Sequence, residues 1–85
     1  MRLLLVEDDP ALAEGIAEFP RGQGDEVDGE DDGMRADRLL QETSFDFVLL
    51  DLGLPGLGGY EVVRRIRKRG QRMPVILITA HDALR

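Results

Sequence analysis

VLLDLGLPG, residues 48–56, decides the fold. Val48, Leu49 and Leu50 form an apolar run without alternation, the signature of a strand buried on both faces. A carboxylate, Asp51, closes the run. Gly53, Pro55 and Gly56 then mark a turn. Two similar runs flank this one. Leu3-Leu4-Leu5-Val6 ends in Glu7-Asp8, and Val75-Ile76-Leu77-Ile78 ends in Thr79. Each is expected to be a double-faced strand, the last opened by Pro74, a residue tolerated at the first strand position.

Helical patterns lie between the strands. Asp9-Pro10 opens the first, with Asp9 as cap and Pro10 at the first helical position. Leu12, Ile16 and Phe19 fall on one stripe and are expected to face inward. Pro20 is expected to stop this helix near Phe19. DEVDGEDD, residues 25–32, has one strand-like apolar residue, Val27, and reads as a weak edge strand. Gly33 starts a second helix with Ala36, Leu39 and Leu40 inward. Phe45 to Leu50 is the third strand. Residues 59–69 form a third helix with Val62, Val63 and Ile66 inward, and with Arg64, Arg65, Arg67 and Lys68 on its wet face. The order is βαβαβαβ. Such alternation implies parallel strands and right-handed crossovers. The fold class is therefore α/β, an open doubly wound parallel sheet with strand order 2-1-3-4.

Composition narrows the function. With 85 residues the chain is short for two domains, and 42% hydrophobic and 33% charged content suits one globular domain. It has no Cys, which excludes disulfides and thiolate metal sites, and its one His, His81, cannot build a His-rich zinc site. Leu3 to Val6 is too short for a signal peptide or a membrane span, so a cytoplasmic protein without membrane partners is expected. A net charge of −6 argues against nonspecific nucleic-acid binding. Asp28, Glu30, Asp32 and Gly33 mimic the start of an EF-hand loop, but the twelfth position would be Leu39, which cannot ligate. The run reads as a solvated edge and loop. The arginines of 64–72 suit a helix C-terminus better than a nucleic-acid patch, and His81 reads as an exposed loop residue.

In open parallel sheets the functional crevice lies outside the C-terminal strand ends, where strand order reverses. Here that point falls between strands 1 and 3. Glu7, Asp8, Asp51 and Thr79 therefore converge on one cleft. Crowded carboxylates repel, and a cation must offset them. Oxygen ligands without His or Cys suit Mg²⁺. Beside it, Asp51 could act as a nucleophile and form an aspartyl phosphate. Read alone, Asp51 could equally cap a turn, and Thr79 could cap the turn that follows it.

Three motifs, LLLVEDDP (3–10), VLLDLGLPGLGGYEVVRRIR (48–67) and PVILITA (74–80), carry a family resemblance. The chain resembles the receiver domain of two-component response regulators, most closely the kind joined to winged-helix DNA-binding domains. The resemblance implies a flavodoxin-like fold and a role in phosphorelay signal transduction. A sensor histidine kinase would be the partner, and the full-length protein would regulate transcription. It also implies a phosphoacceptor rather than an enzyme, one that at most catalyses its own phosphorylation and dephosphorylation. Asp51 matches the phosphoacceptor. Glu7 and Asp8 match the acidic pair, with Asp8 the direct Mg²⁺ ligand and Glu7 acting through water. Gly53 matches the residue giving a carbonyl to the metal. Thr79 matches the hydroxyl that hydrogen-bonds the phosphoryl group, and Ala80 the small residue that leaves it room.

Against the family pattern, residues 1–85 read as a partial receiver lacking helix 4, strand 5 and helix 5. The family's strand 5 Lys has no counterpart, so phosphoryl uptake is expected to be slow or to fail. The usual dimerisation face is absent as well, and DNA would be reached only through a domain outside this sequence. Pro20, Asp25, Gly29, Glu30 and Gly58 also depart from it. Strands 3 and 4 are expected to be bare on the helix 1 side, so self-association as a dimer or higher oligomer is expected. A haloacid dehalogenase-type phosphatase needs a second Asp where Gly53 stands, which argues strongly against it. The rival reading is a non-catalytic fragment that folds, pairs or binds a partner without taking phosphate.

Overall fold

The computed structural model describes residues 1–78. Its elements are β1 (Arg2–Val6), α1 (Pro10–Gly22), β2 (Glu26–Glu30), α2 (Gly33–Glu42), β3 (Phe47–Asp51), α3 (Gly59–Lys68) and β4 (Val75–Ile78). The four strands form one parallel sheet in the order β2-β1-β3-β4, the expected α/β topology. Thr79, Ala80 and His81 lie outside the described residues.

The unbroken apolar runs of β1 and β3 are buried as their pattern requires. Val75–Ile78, expected to be a double-faced buried strand, has no buried residue and leaves Ile76 and Leu77 exposed, because β4 is the edge of the described sheet. Leu4 and Val6 of β1 join Val48 and Leu50 of β3 in a core closed by Ala36 and Leu40 of α2 and Val62 and Ile66 of α3. Leu3 and Leu5 alternate to the other face and are also buried, where α1 packs on β1 and β2. β4 is an edge strand of the described sheet. Val75 packs against the core, while Ile76, which pairs in register with Leu49, is 47% exposed. The expected bare surface on the α1 side of β3 and β4 is therefore present among the described residues.

Helix α1 departs from two expectations. It runs through Pro20 to Gly22. Pro20 sits in the last turn, where a missing N–H costs a single bond, and the proline φ suits a helix. The turn is closed instead by Gln23 N–H donating to the Phe19 and Pro20 carbonyls and by Asp25 N–H donating to the Pro20 carbonyl. Phe19 does not face inward and is 75% exposed. The covered face centres on Ala17, and Phe19 lies about 200° around the helix from it.

The wet face expected for α3 is only partly wet. Arg65 and Arg69 donate to Asp37 of α2 at 3.2 and 2.8 Å, and Asp37 is buried. Glu61 accepts from Arg64 at 2.6 and 2.9 Å and from Arg65 at 3.1 Å. Those two guanidinium groups lower its carboxyl to about 2. α2 is capped by Asp32, whose side chain accepts from Met34 and Arg35 N–H. α3 has Gly58 at its N-cap and no side-chain cap.

Candidate functional site

The site is built on the C-terminal ends of the two central strands. Val6 pairs with Leu50 in register, so Glu7 and Asp51 leave adjacent strands side by side. Glu7, Asp8 and Asp51 each present a carboxylate oxygen, and these atoms lie within 4.8 Å of one another. Glu7 and Asp51 are 3% and 2% exposed, whereas Asp8 is exposed. The sheet thus brings together all three carboxylates that the sequence singles out.

Backbone amides orient two of them. Asp9 N–H donates to Glu7 Oε2 at 3.0 Å, and Gly53 N–H donates to Asp51 Oδ1 at 3.2 Å. The second oxygens, Glu7 Oε1 and Asp51 Oδ2, are buried with no hydrogen-bond partner among the described residues. Burial pushes the Glu7 carboxyl above the usual carboxylate range; the amide of Asp9 opposes this, and Asp51 and Asp8 reinforce it. A buried carboxylate oxygen without a donor is costly. Two of them beside a third acid form a group of like charges that a cation would offset. Hard oxygen donors with no nitrogen or sulfur fit Mg²⁺.

Gly53 lies where a carbonyl ligand is expected, two residues after Asp51 at an exposed position. Thr79 lies outside the described residues, but its neighbour Ile78 is in register with Asp51, and the Ile78 carbonyl accepts from Leu52 N–H at 3.0 Å. Asp9 serves as the expected cap, accepting from Ala11 and Leu12 N–H. Its own amide holding Glu7 is a second role the sequence reading missed. The signal was present in Asp9-Pro10, which fixes the chain direction just after Glu7. Also missed was the packing of Gly33 and Gly59, each the first residue of a helix.

Residues 3–85 match the family model described as the response regulator receiver domain. The chain is 45% identical over 84 residues to the transcriptional regulatory protein TctD of Salmonella typhimurium, covering 99% of this chain and 38% of that protein. It is 43% identical over 82 residues to the response regulator protein PmrA of Pseudomonas aeruginosa, covering 96% and 37%. The chain therefore spans well under half the length of these regulators. Two solved structures superpose on nearly all of it. One is the receiver domain of the sensor histidine kinase PA1611 from Pseudomonas aeruginosa PAO1, with a magnesium ion in its active-site cleft (TM-score 0.88, 38% identity, 99% of this chain and 70% of that one). The other is the response regulator TrrA from Thermotoga maritima in complex with Mg²⁺-BeF (TM-score 0.88, 34% identity, 99% and 73%). With the sheet order, the acidic cluster and the match all in agreement, the chain belongs to the receiver-domain family of response regulators.

Proposed function

We propose that Asp51 is the phosphoacceptor through which this receiver domain works in a phosphorelay. The observation that carries the reading is the buried Asp51 Oδ2, without a partner among the described residues, beside Glu7 and Asp8. Gly53 N–H occupies Oδ1, which leaves Oδ2 as the nucleophile. Oδ2 attacks phosphorus and forms an O–P bond. The donor's bond to phosphorus breaks, and the leaving group keeps that electron pair. With a phosphohistidine of a sensor histidine kinase the broken bond is P–N, and with acetyl phosphate it is P–O.

Asp8, Asp51 and the Gly53 carbonyl would hold Mg²⁺ directly, with Glu7 reaching it through water. When bound, Mg²⁺ neutralises charge on the transferring phosphoryl oxygens. Glu7, fixed by the Asp9 amide, adds negative charge to the cleft that favours cation binding. Thr79, directly after Ile78, would donate its hydroxyl to the phosphoryl group, and Ala80 would leave it room. The domain accepts the group rather than turning over a substrate. In a full-length protein resembling TctD and PmrA, the phosphorylated state would regulate transcription in the cytoplasm through a separate DNA-binding domain. Among the described residues no helix is long and apolar enough to cross a membrane. Exposed Ile76 and Leu77 on the edge strand β4 support self-association with a second copy of this chain. Sedimentation across a concentration range checks that point, and a monomer at high micromolar concentration overturns it.

The phosphoacceptor reading is tested by intact-mass measurement after exposure to acetyl phosphate and Mg²⁺. One phosphoryl mass is expected on the parent and none on Asp51→Asn. Uptake that persists in Asp51→Asn overturns the assignment. No uptake by the parent favours the rival, a receiver fragment that folds without taking phosphate.

A further inference from the structure

Two adjacent glycines precede and open α3, and they differ sharply in their surroundings. A Cβ on Gly58 would have nothing within 4 Å. A Cβ on Gly59 would lie 2.7 Å from the Asp51 carbonyl oxygen, 2.9 Å from Leu52 Cα and 3.2 Å from Leu52 Cδ2. Gly59 does not have a positive φ, so glycine serves there for space alone. The first residue of α3 is thus seated on the backbone of Asp51 itself. At the far end of the same loop, a Cβ on Gly33 would run into the Leu57 carbonyl. The loop from Leu52 to Gly58 is therefore clamped between α3 and the first residue of α2.

We propose that Gly59, supported by Gly33, is a positioning residue for the acidic cluster. This inference rests on the reading of Asp51 and Gly53 as metal ligands. The closest atoms to a Cβ at 59 are backbone atoms, which cannot swing aside as a side-chain tip could. The strand side is held by Leu52 N–H donating to the Ile78 carbonyl, and the loop's far end is held at Gly33. A methyl group at 59 therefore displaces the turn from Asp51 to Gly53. That turn carries the carboxylate, the Gly53 amide that orients it, and the Gly53 carbonyl. The bare Cα of Gly59 sets where these groups stand relative to Glu7 and Asp8.

Gly58→Ala and Gly59→Ala provide the test, because the same methyl is added one residue apart. Mg²⁺ affinity is measured by titration, and the Gly53 amide resonance is recorded in metal-free protein. Gly59→Ala is expected to weaken Mg²⁺ binding about tenfold, the usual scale for groups that orient metal ligands, and to move the Gly53 amide signal. Gly58→Ala is expected to leave both at parent values. A core variant, Val62→Ala, controls for lost stability and is expected to keep parent affinity. Equal Mg²⁺ affinity in Gly59→Ala and Gly58→Ala, with the parent binding, overturns the proposal. A parent that binds no Mg²⁺ overturns the metal-site reading instead, and an unmoved Gly53 amide in metal-free Gly59→Ala overturns the positioning claim regardless of metal. If Gly59→Ala does not fold, Gly33→Ala decides by the same readouts. If both fail to fold while Gly58→Ala does, the glycines serve packing only and the proposal falls.

Discussion

Asp37 and Asp51 are both buried carboxylates, and they sit in opposite situations. Asp37 is answered by two guanidinium groups, Arg65 at 3.2 Å and Arg69 at 2.8 Å, and by Gln41. Among the described residues Asp51 has one backbone amide on Oδ1 and no partner on Oδ2. The two carboxylates clustered with it, Glu7 and Asp8, share its sign. The first arrangement ties α2 to α3. The second gathers like charges whose repulsion a cation would offset. Burial of an acid therefore does not by itself mark function; lack of a partner among like charges does.

The largest expected effect separates the two acids outright. Asp51→Asn removes phosphoryl uptake entirely while the fold persists, whereas Asp37→Asn keeps uptake and loses stability. Intact mass and thermal melts on both variants check this, and loss of uptake in folded Asp37→Asn breaks the contrast. Next, Asp37→Ala should destabilise the domain by about 1–2 kcal/mol, since charge-assisted hydrogen bonds disappear but both arginines can turn to water. Urea unfolding measures it, and an unchanged midpoint denies the α2–α3 tie.

A smaller effect concerns Glu7. Its folded pKa is raised, chiefly by burial. The protonated form is thus favoured in the folded state. Its contribution is fully present below the unfolded carboxyl value, near about 4.3, and is lost as pH rises through the folded value. Metal-free Glu7→Gln should therefore melt a few degrees above the parent at neutral pH, and the gap should close below about pH 4. A gap that is independent of pH would mean that ionisation of Glu7 is not the cause. The smallest effect tests the uncapped α3. Gly58→Ser should stabilise the domain by a few tenths of a kcal/mol, read by the same melts, with phosphoryl uptake unchanged.

Much of this contrast was legible in the residues. Leu3–Val6 and Val48–Leu50 read directly as double-faced strands, because a parallel sheet covered by helices needs no polar alternation. Val75–Ile78 reads the same way but lies at the edge of the described sheet, where its apolar side chains are not buried. Asp51 stood out because a carboxylate ended such a run. Asp37 did not, because on a helix it looks like any other polar position until α3 places two arginines over it. Phe19 and Pro20 misled for a related reason. Spacing gives the stripes a helix could bury, but the sheet chooses which one, and here it chose the face around Ala17. The orientation of Glu7 depends on an amide two residues later, a relation that exists only once α1 has turned away from β1.

The strand order also sets a schedule. β1 lies between β2 and β3, so this early strand is enclosed on both edges. Leu4 meets Val48 only after α1, β2 and α2 have followed it. On the ribosome, an apolar segment of four residues, Leu3 to Val6, must wait with one edge open until β3 emerges. Non-local parallel pairing is slow for this reason, and waiting strands are where nascent chains associate wrongly.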